Sequence, residues 1–162
     1  MKMFYHFFGI LFILSASRFI PHPPNFTSLL AISFYIPFFM GRNYIPAILI
    51  SFVITDLIIG YHNTTHWTWG SVFLIGIMAK YFPNRFSSRV IGAITGAIIF
   101  FIVTNFGVWT TGMYGLTLVG LKTSYISAIP FFTYSLISTL LFSVIIEAGY
   151  KILYTKFKLK KL

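Results

Sequence analysis

The sequence predicts an all-α integral membrane protein, a compact bundle of six transmembrane helices with its N-terminus and C-terminus in the cytoplasm. Of the 162 residues, 57% are hydrophobic and only 9% are charged, whereas a typical soluble domain has about 25% charged residues. The apolar residues also form separate runs, several of membrane-spanning length. These observations exclude an ordinary water-soluble domain.

Six apolar segments are predicted as the spans: 3–20, 26–40, 44–60, 69–83, 90–109 and 124–148. Because they leave only short connections, residues 1–150 are predicted to form one transmembrane domain, followed by a basic cytoplasmic tail at 151–162. The second and fourth segments are short for a full crossing, and Pro37 interrupts the second. Four spans with two half-helices are therefore an alternative. The alternating basic and apolar residues of the tail favour contact with anionic lipid.

Orientation follows from the lysine and arginine residues, of which the six-span arrangement puts ten on one side and two on the other. The ten are Lys2, Arg42, Lys80, Arg85, Arg89, Lys151, Lys156, Lys158, Lys160 and Lys161; the two are Arg18 and Lys122. Positive residues concentrate on the cytoplasmic side, so loops 18–25, 61–69 and 109–123 are predicted to face outward. The net charge of +10 therefore reports topology, because it forms no basic face for nucleic acid.

The N-terminus has a second interpretation. Lys2, the apolar run after it and the small residues Ser15, Ala16 and Ser17 resemble a short signal peptide with a cleavage site. Removal of this segment would leave five spans and reverse the charge count. An intact N-terminus is therefore expected.

Asp56 is the first candidate site residue, because it lies four residues before Gly60, where the third apolar segment ends. On a helix this places its carboxylate about 6 Å inside that end. A buried acid at this depth needs water, a donor or a cation, which marks a functional site by default. Arg18 is either its electrostatic partner or a residue at the level of the lipid headgroups.

Two histidines and two tryptophans follow Asp56. His62 and His66 have the i, i+4 spacing that puts two imidazoles on one helical face, and they are predicted to contact a ligand or respond to pH. Two histidines do not make a metal site, and the chain has no cysteine, so no metal or cofactor is predicted. Trp67 and Trp69 belong to an interfacial aromatic belt or offer flat faces to an organic ligand.

Further candidates flank the other outward loops. Asn25 follows a proline-rich stretch and is predicted either to cap the next helix or to face a ligand. Asn105 and Trp109 are one helical turn apart, so both can face the space near Asp56. The glycine-rich stretch 112–124 is predicted to be a mobile outer gate. Tyr125, together with Pro130, opens the last span.

Two interpretations concern helix contacts. Gly92 and Gly96 form a small-xxx-small pattern, which predicts close packing inside the bundle or against a partner. Glu147 has i, i+4 spacing to Lys151, which predicts an interfacial salt bridge.

Four stretches, PPNFT, TDLIIGYH, TNFGVW and YISAIPFF, resemble an uncharacterised bacterial membrane family. That family is similar to the substrate-binding S components of energy-coupling-factor (ECF) vitamin transporters. The resemblance covers nearly the whole chain and implies a multi-pass protein of the bacterial cytoplasmic (inner) membrane with a pocket near its outer face. It also implies a transmembrane coupling protein and cytoplasmic ATPases as partners. The pocket residues it implies here are Asn25, Asp56, His62, Asn105, Trp109 and Tyr125.

The sequence therefore favours a substrate-binding subunit for uptake of a small vitamin-like or cofactor-precursor molecule. It contains no G-x-x-x-x-G-K-[ST] loop, so transport would borrow energy or run downhill. One alternative is a membrane-embedded enzyme that uses Asp56 with His62 or His66 as acid and base on a lipophilic substrate. Another is a non-catalytic membrane assembly protein held by the small-residue face of span five.

Overall fold

The computed structural model describes residues 2–159, with side chains from residue 4 to residue 152, and this part of the chain is helical with no strand. The seven α-helices are α1 Lys2–Phe19, α2 Leu29–Met40, α3 Ile45–Ile59, α4 Thr65–Met78, α5 Phe86–Thr110, α6 Leu118–Ser127 and α7 Ile129–Leu159. Short 3-10 turns at Arg42–Tyr44 and Ala79–Tyr81 precede α3 and follow α4. Helix α7 continues into the predicted tail, whose last residues and lipid contacts lie outside the described residues.

Among the residues whose side chains are described, three helical segments are long and apolar enough to cross a membrane: Arg42–Ile59, Phe86–Thr110 and Ile129–Ile152. With the composition, they indicate an all-α membrane protein. Helices α2 and α4 have 12 and 14 residues and reach only about 18 and 21 Å, which is less than the hydrocarbon core of a bilayer. Pro37 lies within α2 without ending it. Six complete crossings remain a prediction.

The stretch 112–124, predicted to be a mobile outer gate, is not a loop throughout, because residues 118–124 belong to α6. The Thr117 hydroxyl accepts a hydrogen bond from the backbone N–H of Gly120 at 3.1 Å and caps the start of the helix. Gly120 allows the chain to pack closely here, since a Cβ at this position would overlap the carbonyl oxygens of Tyr114 and Gly115. The hydroxyl cap thus favours a helix here despite the glycine content of the stretch. The predicted sixth span therefore begins inside α6.

Helix α5 packs against α2, α4 and α7 through small residues. The ring of Phe34 on α2 lies directly over Gly92, and a Cβ at Gly92 would overlap it. One turn further along, a Cβ at Gly96 would lie 3.0 Å from Cγ2 of Ile75 on α4. Phe34 and Ile75 are both fully buried. The small-residue face of α5 is therefore covered by helices of its own chain.

Substitution Gly92→Ala is expected to destabilise the fold by roughly 1–3 kcal/mol, because the buried Phe34 ring has to move to admit a methyl group. The matched control is Gly70→Ala in α4, where an added Cβ has nothing within 4 Å. That control should be neutral or stabilising, by up to about 1 kcal/mol. Thermal unfolding of the purified variants in one detergent measures both. Equal midpoints for the two variants would contradict this packing.

Candidate functional site

An ion pair joins the ends of α1 and α3. Arg18 Nη2 lies 2.6 Å from Asp56 Oδ1, and Arg18 Nη1 donates a hydrogen bond to the Thr55 hydroxyl at 2.6 Å. The indole N–H of Trp69 on α4 donates to Asp56 Oδ2 at 2.7 Å. Both carboxylate oxygens are thus engaged, and the structure confirms Arg18 as the partner of this buried acid. We call this end of the bundle the Asp56 end.

The neighbouring backbone and rings fix the geometry of the pair. The guanidinium carbon of Arg18 lies 4.6 Å from the centre of the Phe52 ring, a contact that favours the cation. Helix α3 ends at Ile59, and the N–H of the next residue, Gly60, donates to the Asp56 carbonyl at 2.8 Å. Gly60 has φ of 133°, a conformation that side chains disfavour. The chain therefore turns one helical turn after Asp56, and His62 from the following turn lines the cavities there.

Two adjoining cavities open at the Asp56 end. The first, the Asp56 cavity, measures about 250 Å³ and has the Arg18–Asp56 pair in its wall. The second, the Asn105 cavity, measures about 200 Å³ and lies between α5 and α7. Both are lined by the same five residues: Asn25, His62, Thr68, Phe100 and Ser135. The shared residues place the two cavities side by side.

Asn25 reaches the shared wall from the loop between α1 and α2. Its φ of 63° is left-handed, a conformation that Asn tolerates better than most residues. Its carbonyl oxygen accepts a hydrogen bond from the Ser138 hydroxyl at 3.5 Å. The N-cap position of α2 is Ser28, so the prediction that Asn25 caps the helix is wrong. Asn25 lines both cavities instead.

His62 and His66 do not share a helical face, because α4 begins only at Thr65. His62 lies in the preceding turn, where Nδ1 is 2.9 Å from the Thr64 hydroxyl and its backbone N–H donates to the Thr65 hydroxyl at 3.0 Å. His66 is exposed and contacts Trp67. Within the described part of the chain, no three His, Asp or Glu side chains lie close enough together to hold a metal ion.

Two tryptophans predicted near the ligand line neither cavity. Trp67 lies against Gly107 of α5, where a Cβ would overlap the indole ring. The Trp109 indole N–H donates to the Thr117 carbonyl at 3.2 Å and so connects α5 to the start of α6. Both rings thus join helices. The expectation that Trp109 shares a space with Asp56 is wrong, since spacing along α5 does not say which neighbour a ring meets.

Asn105 and Tyr125 take different positions. Asn105 is buried in the wall of its cavity, and its amide N–H donates to the Phe101 carbonyl one turn earlier at 2.7 Å. The Tyr125 hydroxyl donates to the Ile102 carbonyl at 2.8 Å, and its ring packs edge-on against Phe101. Tyr125 therefore lies behind the cavity wall rather than in it.

The sequence interpretation missed the partner of the second acid. Arg89, in the first turn of α5, donates to both oxygens of Glu147 on α7, from Nε and Nη2, at 2.6 Å each, and from Nη1 to Asn84 Oδ1 at 2.7 Å. Lys151 was the predicted partner. The sequence did carry a signal for this pair: the chain has only two acids, both in apolar segments, and each needs a cation nearby.

Three residues of the shared cavity wall, Thr68, Phe100 and Ser135, were also missed. No comparable sequence feature marks them.

Substitution Arg18→Met is expected to destabilise the protein by roughly 3 kcal/mol, because it leaves Asp56 buried without a counter-charge. The double variant Arg18→Met/Asp56→Asn should recover at least half of that loss. Lys122→Met removes the same charge from an exposed position and should stay within about 0.5 kcal/mol of the parent. Denaturant unfolding in detergent measures all three. A double variant no more stable than Arg18→Met would show that the pair contributes no such coupling.

Comparison with known proteins gives a family. The model of DUF6580, described as a family of unknown function, matches residues 1–162. No curated protein and no solved structure matches the chain.

Proposed function

Since the chain belongs to the DUF6580 family, a family of unknown function, we propose a function from its cavities: it is the substrate-binding membrane subunit for uptake of a small vitamin-like or cofactor-precursor molecule. The observation that carries the proposal is the pair of adjoining cavities at the Asp56 end, with five lining residues in common. Residues from three loops or turns and several helices converge there. Ligand sites in helical bundles form in this way, between helices.

The lining favours a compact ligand with a flat apolar part and several hydrogen-bonding groups. The shared wall combines Asn25, His62, Thr68 and Ser135 with Phe100, the mixture of few polar and several apolar groups typical of small-molecule sites. The hydroxyls of Thr68 and Ser135 donate to carbonyls of their own helices and can still accept a hydrogen bond. Arg18 and Asp56 neutralise each other, so the Asp56 cavity offers both charges without a net charge. A ligand with little net charge therefore fits best.

Orientation makes this an uptake site. In the proposed arrangement of six spans with both termini cytoplasmic, the Asp56 end faces outward from the bacterial inner membrane. The cations Arg42, Lys80, Arg85 and Arg89 lie at the opposite end, in the positions that the positive-inside rule assigns to the cytoplasm. A transmembrane coupling protein and cytoplasmic ATPases, as the resemblance to S components implies, would supply the energy.

Binding is favoured over catalysis by the state of Asp56. A general base needs a carboxylate oxygen within reach of the proton it accepts. Here Arg18 and Trp69 engage one oxygen each. The carboxylate therefore acts as part of the wall, which weighs against the enzyme alternative, in which Asp56 and a histidine exchange protons with a lipophilic substrate.

Substitution His62→Ala is expected to weaken retention of a co-purifying small molecule by roughly tenfold, because it removes an imidazole from both cavities, a loss of about 1.4 kcal/mol. His66→Ala is the matched control, four residues away, exposed and outside both cavities. Native mass spectrometry of gently extracted protein measures retention in the parent and both variants. The control should remain within about twofold of the parent.

Three results would count against the proposal. They are the absence of any bound small molecule from protein extracted in several mild detergents, equal losses from the two histidine variants, and conversion of the bound molecule to a product that Asp56→Asn abolishes. The last result would favour the enzyme alternative.

A further inference from the structure

A third cavity, of about 920 Å³, opens at the opposite end of the bundle. We call it the Arg42 cavity. Its polar lining residues are Arg42, Lys80 and Asn84, and much of the remaining wall is aromatic. The rings of Phe39 and Tyr150 stack with their centres 4.6 Å apart and form part of this wall. The lining therefore combines cationic side chains with apolar and aromatic ones.

The Arg42 cavity lies at a membrane boundary. The apolar segments of α3 and α5 begin at Arg42 and Phe86. Arg42 lines the cavity, and the lining residue Asn84 is two positions before Phe86. Because two apolar helices start around it, the cavity is at the level where lipid headgroups meet the hydrocarbon core.

The charges around the Arg42 cavity indicate what kind of ligand it binds. The chain contains only two acids, and their carboxylates are engaged by Arg18 and Arg89. Arg42 and Lys80 are exposed, and among the residues described along this cavity none is acidic. No carboxylate of the described lining residues is therefore present to pair with these two cations. An anionic group of a ligand can pair with them.

Asn84 adds a neutral donor to the two cations. Its carbonyl oxygen Oδ1 accepts a hydrogen bond from Arg89 Nη1 at 2.7 Å. This bond orients the amide and leaves the Nδ2 hydrogens available to donate. Two cations and an amide donor suit the oxygens of a phosphate group.

We propose that the Arg42 cavity binds an anionic phospholipid of the adjoining leaflet. Arg42, Lys80 and the Asn84 amide bind its phosphate, while the carbons nearest the headgroup pack against the rings of Phe39 and Phe82. The proposal is independent of the cavities at the Asp56 end and of any transported ligand. It assigns a lipid site to cations that the sequence analysis used only to predict the orientation of the chain in the membrane.

The test compares lipids in nanodiscs that contain phosphatidylglycerol and phosphatidylcholine. After release into mild detergent, native mass spectrometry should find phosphatidylglycerol retained in preference to phosphatidylcholine. Arg42→Gln/Lys80→Gln should lower this retention by roughly tenfold, because anionic lipid loses two cationic contacts. The control Arg85→Gln/Lys122→Gln removes the same charge from two exposed residues that do not line the cavity, and should stay within about twofold of the parent.

A second variant tests the space of the cavity without changing its charge. Gly149 lines the cavity, and a Cβ at this position would have nothing within 4 Å. Gly149→Leu therefore narrows the cavity without changing any charge and should also reduce retention, while thermal unfolding confirms that the variant is folded.

Four outcomes would overturn the proposal. They are equal retention of the two lipids, equal losses from the two double variants, full retention in folded Gly149→Leu, and displacement of phosphatidylglycerol by excess inorganic phosphate. The last would identify a site for free phosphate instead of lipid.

Discussion

The constraint on which the structure depends is the burial of two carboxylates in an apolar bundle. A charged group inside such a bundle is stable only when it is paired and hydrogen-bonded, and each acid here meets an arginine on another helix. The Arg18–Asp56 pair joins α1 to α3, and the Arg89–Glu147 pair joins α5 to α7. One pair lies at each end of the bundle, so together they limit which helices can be neighbours.

The first pair also explains why cavities form beside it. Arg18 and Trp69 each contact one oxygen of the buried Asp56 carboxylate. These two long side chains therefore extend toward α3. The space toward α5 and α7 is left to shorter polar side chains and to Phe100. At the opposite end, Arg89 occupies a similar central position, and the exposed cations Arg42 and Lys80 surround the larger cavity. The two ends therefore differ in charge, as a protein that crosses a membrane in one orientation requires.

Sequence patterns predicted what depends on local spacing and composition. The helical class and the close approach at Gly92 follow from hydrophobicity and residue size. For Arg18, charge left two positions open, beside Asp56 or at the lipid headgroups, and the structure shows the first. The partner of Glu147 was not predicted. Arg89 and Glu147 are 58 positions apart, and nothing local distinguishes this partner from Lys151. Helix starts were also hidden, because α4 begins at Thr65 without a side-chain cap, while the Thr117 hydroxyl caps α6. Those starts separate His62 from His66 and place part of the stretch 112–124 in a helix.

The central claim is that the cavities at the Asp56 end open to the outside and the Arg42 cavity lies on the cytoplasmic side. The chain has no cysteine, so a single introduced cysteine is its only thiol. His62→Cys and Lys80→Cys place that thiol at exposed positions of opposite ends. A membrane-impermeant maleimide should label His62→Cys in intact spheroplasts and Lys80→Cys only after the membrane is opened. Labelling of both from outside, or of Lys80→Cys alone, would contradict the account.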